Sequence, residues 1–138
     1  MKRREFLAAT AALGLAPMAA MAASGWVEYV PGLVKKRLAA GETVFLDVGA
    51  SWCTTCKSQE RTINALKSEN PAYESAVTFV HMDWDQFGRG ELATELNVPR
   101  RSTLIVLKGD QELGRIVAGT RRADIQALMD VALSAATA

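Results

Sequence analysis

The chain has 138 residues, 49% of them apolar and 22% charged, which suits one globular domain with a single core and is too short for two ordinary ones. Its formal net charge is only +1, so a general electrostatic attraction to nucleic acid or to an anionic membrane surface is excluded. Two cysteines and one histidine are present, too few soft donors for a four-ligand zinc site within one chain.

In chain order, Met1 to Ala23 reads as a targeting segment and not as fold. Lys2, Arg3 and Arg4 form a positive head, and Phe6 to Ala23 carries no charge. Ala20-Met21-Ala22 offers small residues at the positions a signal peptidase checks, so an export signal over 1–22 and a mature domain over 23–138 are expected. Arg3-Arg4-Glu5-Phe6-Leu7 is similar to the twin-arginine export signature, which implies a periplasmic destination. The other reading is a retained membrane anchor, since about 18 apolar residues lies near the lower bound for a span. Alanine content, Gly14 and Pro17 weigh against it, and the mature form is expected to have no stable membrane span. Removing a segment of net +2 from a chain of +1 leaves a domain near −1.

Trp26 to Val30 fits either an edge strand or the lead-in to a helix. Leu33 to Ala40 reads as a short helix stopped by Gly41. Thr43 to Val48 is a bounded apolar run, as a buried strand should be. A helix is predicted from Cys53 to about Lys67, ended by Asn70-Pro71. Val77 to Met82 is a second buried strand, Asp83 to Gly88 a loop, Glu91 to Leu96 a short helix and Thr103 to Leu107 a third strand. Lys108-Gly109-Asp110 is a turn, which returns Glu112 to Val117 antiparallel. From Arg121 onward Ile125, Leu128, Met129, Ala132 and Leu133 share one helix face. Alternating strands and helices followed by a hairpin give an α/β domain: a small mixed sheet with helices on both faces.

Both cysteines fall in Trp52-Cys53-Thr54-Thr55-Cys56-Lys57, immediately after a buried strand. In a first helical turn this spacing puts two sulfurs on one face, close enough to bond. Cys53 would meet the free N–H groups and positive dipole end of the helix, which favour thiolate over thiol, and Lys57 adds charge. Cys56, one turn deeper, is suited to resolve a mixed disulfide. A structural disulfide is the alternative, but a two-residue loop removes little chain entropy. Asp47, an acid in an apolar strand, should have its carboxyl pushed up by burial. It fits a proton relay to Cys56, or else a charge paired with a lysine such as Lys57. Asp83 to Gly88 matches a calcium loop only at its first, third and sixth positions, because Phe87 and Thr94 cannot ligate. His81 reads as a strand-end residue, and Trp84 and Phe87 as packing residues within reach of a substrate groove.

The run Val44 to Lys57, with Asp47, Trp52, Cys53, Cys56 and Lys57, resembles the active-site strand and helix of the thioredoxin-like family. The likeness extends over Asn97 to Leu107 and to Gly119, before the last helix. The flanking residues, with Arg61 where a helix-kinking proline often stands, are most similar to the C-terminal periplasmic domain of the transmembrane disulfide-reductase electron carrier. The resemblance implies a thioredoxin-like fold and thiol–disulfide exchange with protein disulfides through a Cys53/Cys56 dithiol, without a bound cofactor or metal. It also implies the reductase direction and a membrane electron donor. Thr54 and Thr55 between the cysteines would set the redox poise.

One departure stands out. The family's cis-proline, in a Pro-Thr pair facing the disulfide, is replaced by Ser102-Thr103. Because a cis bond before serine costs about 3–4 kcal/mol, a trans Arg101–Ser102 bond is expected. Space and a hydroxyl beside the sulfurs could instead admit a metal or iron–sulfur cluster bridging two chains. A third alternative is a non-catalytic adaptor. Arg100 and Arg101 would make the rim positive, either as solvated loop residues or to steer an acidic substrate.

Overall fold

The computed structural model describes residues 25–138. The expected export signal, its cleavage and its route lie outside the described residues. The chain runs β1 (Trp26–Glu28), α1 (Leu33–Ala39), β2 (Thr43–Gly49), α2 (Thr54–Glu69), α3 (Ala72–Ala76), β3 (Thr78–Asp83), α4 (Trp84–Phe87), α5 (Glu91–Glu95), β4 (Thr103–Lys108), β5 (Gln111–Val117) and α6 (Arg122–Thr137). The strands form one five-stranded sheet ordered β1-β3-β2-β4-β5. β1, β3 and β2 are parallel, and β4 enters antiparallel to β2 before β5 returns along it. The antiparallel part is thus larger than a terminal hairpin, because β4 is already reversed.

All seven residues of β2 are buried, because helices cover both sheet faces. The pleat sorts its side chains. Val44, Leu46 and Val48 pack with Tyr29, Val34, Met82, Leu92 and Ile105 on one face. Phe45 joins Ile63, Leu66, Phe79, Leu104, Ile125 and Met129 on the other, under α2, α3 and α6. Asp47 shares the parity of Phe45 and therefore lies on the α2 face. Each large side chain buried in this way contributes about 1.5–3 kcal/mol.

The ambiguous Trp26 segment is an edge strand whose Trp26 and Glu28 lie beside Phe79 and His81. Lys67 braces it, with Nζ 4.1 Å from the Trp26 ring centroid and 4.0 Å from that of Phe79. Asn70-Pro71 ends α2 but also starts α3, since Asn70 Oδ1 accepts from Ala72 N at 3.1 Å. The Asp83 to Gly88 segment is a single helical turn and not a loop, because Asp83 Oδ2 accepts from Gln86 N at 3.2 Å as an N-cap. On α6 Ile125, Leu128, Met129 and Ala132 of the expected face are buried and Leu133 is half-buried against them. Gly114 lets that helix approach, as a Cβ there would lie 2.9 Å from Leu128 Cδ1.

Candidate active site

α2 begins at Thr54, with Cys53 as its N-cap. The helix therefore starts one residue later than the sequence suggests, and the Cys53 sulfur itself accepts the Cys56 N–H at 3.1 Å. This places Sγ at the end of the helix where donors are unsatisfied and the dipole is positive. Both cysteines are reduced and buried, 3% and 5% exposed. Ala50 and Trp84 pack against them, so Trp84 touches the site while Phe87 stacks edge-on against Tyr29 at 5.0 Å.

Ser102 faces both sulfurs. Its hydroxyl lies 3.2 Å from Cys53 Sγ and 3.1 Å from Cys56 Sγ. Among the described residues no peptide bond is cis, and Ser102 takes the left-handed conformation with φ 63°. Three hydrogen bonds hold it there. Ser102 N donates to Val48 O at 2.7 Å, while its carbonyl accepts from Ala118 N at 2.8 Å and from Gln59 Nε2 at 3.0 Å. Gln59 Nε2 also donates to Gly119 O at 2.9 Å. Thr103, buried next door, turns its hydroxyl to Arg100 O at 2.7 Å. Gln59 is fully buried and was missed from sequence. Its signal was a polar residue three positions after Cys56, on the helix stripe that faces the sheet.

The two thiols are driven apart. Burial pushes Cys53 up, but hydrogen bonds from Cys56, the Ser102 hydroxyl and Arg101 outweigh it and bring the thiol down to about 7. Burial and the hydrogen bond with Cys53 push Cys56 up. Burial also raises Asp47, against the attraction of His81, to about 7. Asp47 is 2% exposed, and its Oδ1 has no hydrogen-bond partner. Lys67 adds a smaller attraction that opposes the rise, and Lys57 is exposed on a cleft that Asp47 also lines.

Around the rim, Trp52 is 55% exposed and donates to Asp85 Oδ2 at 2.7 Å. The Arg101 guanidinium sits 4.5 Å from the Trp52 ring centroid. Thr54 is exposed and Thr55 half-buried between the sulfurs. Arg100 turns inward, its Nε donating to Arg101 O at 3.0 Å. Cys53, Cys56, Asp47, Trp52, Arg101, Ser102 and Thr103 thus share one end of the sheet, with Trp84 packed beside the sulfurs and His81 and Gln59 added by the structure. Among the described residues no three His, Cys, Asp or Glu side chains are grouped to hold a metal ion, and no helix is long and apolar enough to cross a membrane. A sulfur whose thiol is lowered beside one whose thiol is raised can carry out thiol–disulfide exchange.

Residues 28–131 match the family described as Thioredoxin. The chain belongs to the thioredoxin family. It is 31% identical over 110 residues to a thioredoxin of Echinococcus granulosus, covering 79% of this chain and 96% of that protein. Against thioredoxin H5 of Oryza sativa subsp. japonica it is also 31% identical, over 86 residues, and spans only 58% of that longer relative. Among solved structures, Trxlp of Edwardsiella tarda superposes with a TM-score of 0.65 at 28% identity, covering 75% of this chain and 97% of that one. Trypanosoma brucei brucei thioredoxin, at 22% identity and TM-score 0.64, shares the fold. This thioredoxin-family chain keeps the Cys-x-x-Cys pair but holds a left-handed serine against it.

Proposed function

We propose that this thioredoxin-family thiol–disulfide oxidoreductase is exported to the periplasm, where it reduces protein disulfides and is recharged by a membrane electron donor of the disulfide-reductase type. The direction is supported by the groups around Cys53 Sγ, the Cys56 amide at 3.1 Å and the Ser102 hydroxyl at 3.2 Å, which bring its thiol down only to about 7. Oxidases of this fold hold that thiol as a thiolate down to about 3.5, which stabilises their reduced form and makes them strong electron acceptors. A value near 7 leaves the reduced form less favoured and the dithiol a better donor.

In the cycle Cys53 thiolate attacks a substrate disulfide, and one substrate sulfur leaves. Cys56, held protonated until then, attacks Cys53 Sγ and frees the second substrate sulfur. Trp52 and Thr54 form the exposed surface around Cys53, with Thr55 half-buried beside them, and Arg101 supplies a cation there that favours substrates with acidic residues beside the disulfide. The export segment, read from Arg3-Arg4 and Ala20-Met21-Ala22, supports the location, and the similarity of the Cys53 region to the periplasmic reductase domain supports the donor.

Equilibration with graded thiol–disulfide buffers tests the direction. A potential near the reducing end of the fold's range, about −270 mV, is expected, and one near about −120 mV would make the chain an oxidase. Cys56→Ser should trap mixed disulfides with its substrates, and their cellular compartment tests the location.

A further inference from the structure

Glu28, His81 and Asp47 stand side by side on β1, β3 and β2, with His81 in register with both neighbours. Glu28 Oε2 lies 3.3 Å from His81 Nδ1. Beside this row, Gly49 carries no side chain. The point a Cβ would occupy is 3.5 Å from each of Asp47 Oδ1, His81 Nε2 and Cys56 Cβ. A cleft of about 380 Å³ opens there, lined by Asp47, Gly49, Cys56, Lys57, Glu60 and His81. At roughly 30 Å³ per molecule that is room for several waters. Asp47 is closed off from solvent, whereas the His81 side chain is 29% exposed.

We propose that Gly49 and His81 form the proton exit of the resolving thiol: the side-chain-free space at Gly49 lets a water join Asp47 Oδ1 to His81 Nε2, and His81 passes the proton to solvent. The inference rests on thiol–disulfide exchange at Cys53 and Cys56. From the mixed disulfide, the Cys56 S–H gives its proton to Asp47 through water in the cleft that both residues line, and Cys56 Sγ bonds to Cys53 Sγ. The bond from Cys53 Sγ to the substrate breaks, its electron pair leaves on the substrate sulfur, and that sulfur is protonated from solvent. Asp47 then discharges through the water to His81. In the opposite redox direction the same path returns a proton to Cys56. Imidazole is the side chain that both takes up and releases a proton near neutral pH. It is also the end of the row that meets solvent. The charged groups facing it are Glu28 from β1, Asp47 from β2, Lys57 and Glu60 from α2 and Asp83 on its own strand. His81 is thus a positioning residue that acts through Asp47.

Stopped-flow reaction of the reduced protein with dithiobis(nitrobenzoate) separates the steps. Cys53 releases one coloured thiolate in a phase proportional to reagent, and Cys56 releases the second in a phase independent of it. His81→Gln, and Gly49→Ala as a filler in ordinary contact with its neighbours, should each slow only the second phase, by up to about 10²-fold near neutral pH. His81→Gln should also flatten the pH profile of that phase. Free imidazole should restore the second phase of His81→Ala in proportion to its concentration, which a structural loss would not allow. An unchanged second-phase pH profile in both variants, equal slowing of both phases, or failure of imidazole to rescue would each overturn the proton exit. Absence of both phases in the unaltered protein would instead sink the exchange reading itself.

Discussion

The Ser102 hydroxyl lies 3.1 Å from the Cys56 sulfur while its backbone is locked to Val48 by a 2.7 Å hydrogen bond. One side chain therefore solvates both thiols, since Cys53 Sγ is 3.2 Å away on the other side. A hydrogen bond to a charged group is worth about 1.5–3 kcal/mol. Ser102→Ala should accordingly move the Cys53 thiol from about 7 toward the free-cysteine range of about 8.5 and slow its alkylation at pH 7 several-fold. Thiolate absorbance followed through a pH titration measures this, and an unmoved curve would remove the hydroxyl from the account.

Restoring the residue that the family places at this position should harm the protein. Proline requires φ near −65° and has no N–H, whereas Ser102 sits at φ 63° and donates to Val48 O. Ser102→Pro should cost about 3 kcal/mol or more, and Ser102→Gly should recover roughly 1 kcal/mol of left-handed strain. Urea unfolding of both variants, at a pH where the thiols are protonated, gives the two numbers.

Asp47 makes stability fall with rising pH. Its carboxyl titrates at about 7 in the folded chain, against about 3.9 when unfolded, so the folded state resists losing that proton. The protonated acid is tolerated at full stability below about pH 4, and stability declines as pH rises toward 7. The loss levels off above that, at a few kcal/mol at most, because each pH unit between the two values corresponds to about 1.4 kcal/mol. Asp47→Asn should abolish this slope, giving a variant more stable than the parent at pH 8 and indistinguishable from it at pH 4. Urea midpoints at pH 4, 6 and 8 test the sign; a parent that gains stability over that interval would contradict it.

Gln59 ties the helix to both loops opposite the sulfurs, through Ser102 O and Gly119 O. Gln59→Leu keeps the volume but removes both donors, leaving two buried carbonyls less satisfied. A loss of about 2 kcal/mol is expected, with slower disulfide formation between Cys53 and Cys56 as Ser102 loosens. Denaturant unfolding and oxidation kinetics measure the two effects separately.

The sequence carried the fold well where periodicity is strong. β2, β4 and the buried face of α6 were legible because unbroken apolar runs and a 3.6-residue stripe leave little choice. The reversal of β4 was not, since nothing local in Thr103 to Leu107 encodes strand direction. Asp83 misled because its carboxylate serves as a helix cap, a use that a loop-forming composition does not reveal. Within the site, Cys53, Cys56, Asp47 and Ser102 could be named from spacing and resemblance. Gln59 and His81 could not, because their roles arise from strand register and from a contact across 43 residues.

A sulfur that caps its own helix makes the first turn of α2 a reporter of oxidation state. As a thiolate, Cys53 is a strong acceptor for the Cys56 amide; joined to Cys56 in a disulfide, the same atom is a weak one. Each turnover therefore tightens and slackens the head of the helix. The Cys56 amide should exchange with deuterium faster in the oxidised protein, although the rest of the helix stays as it was.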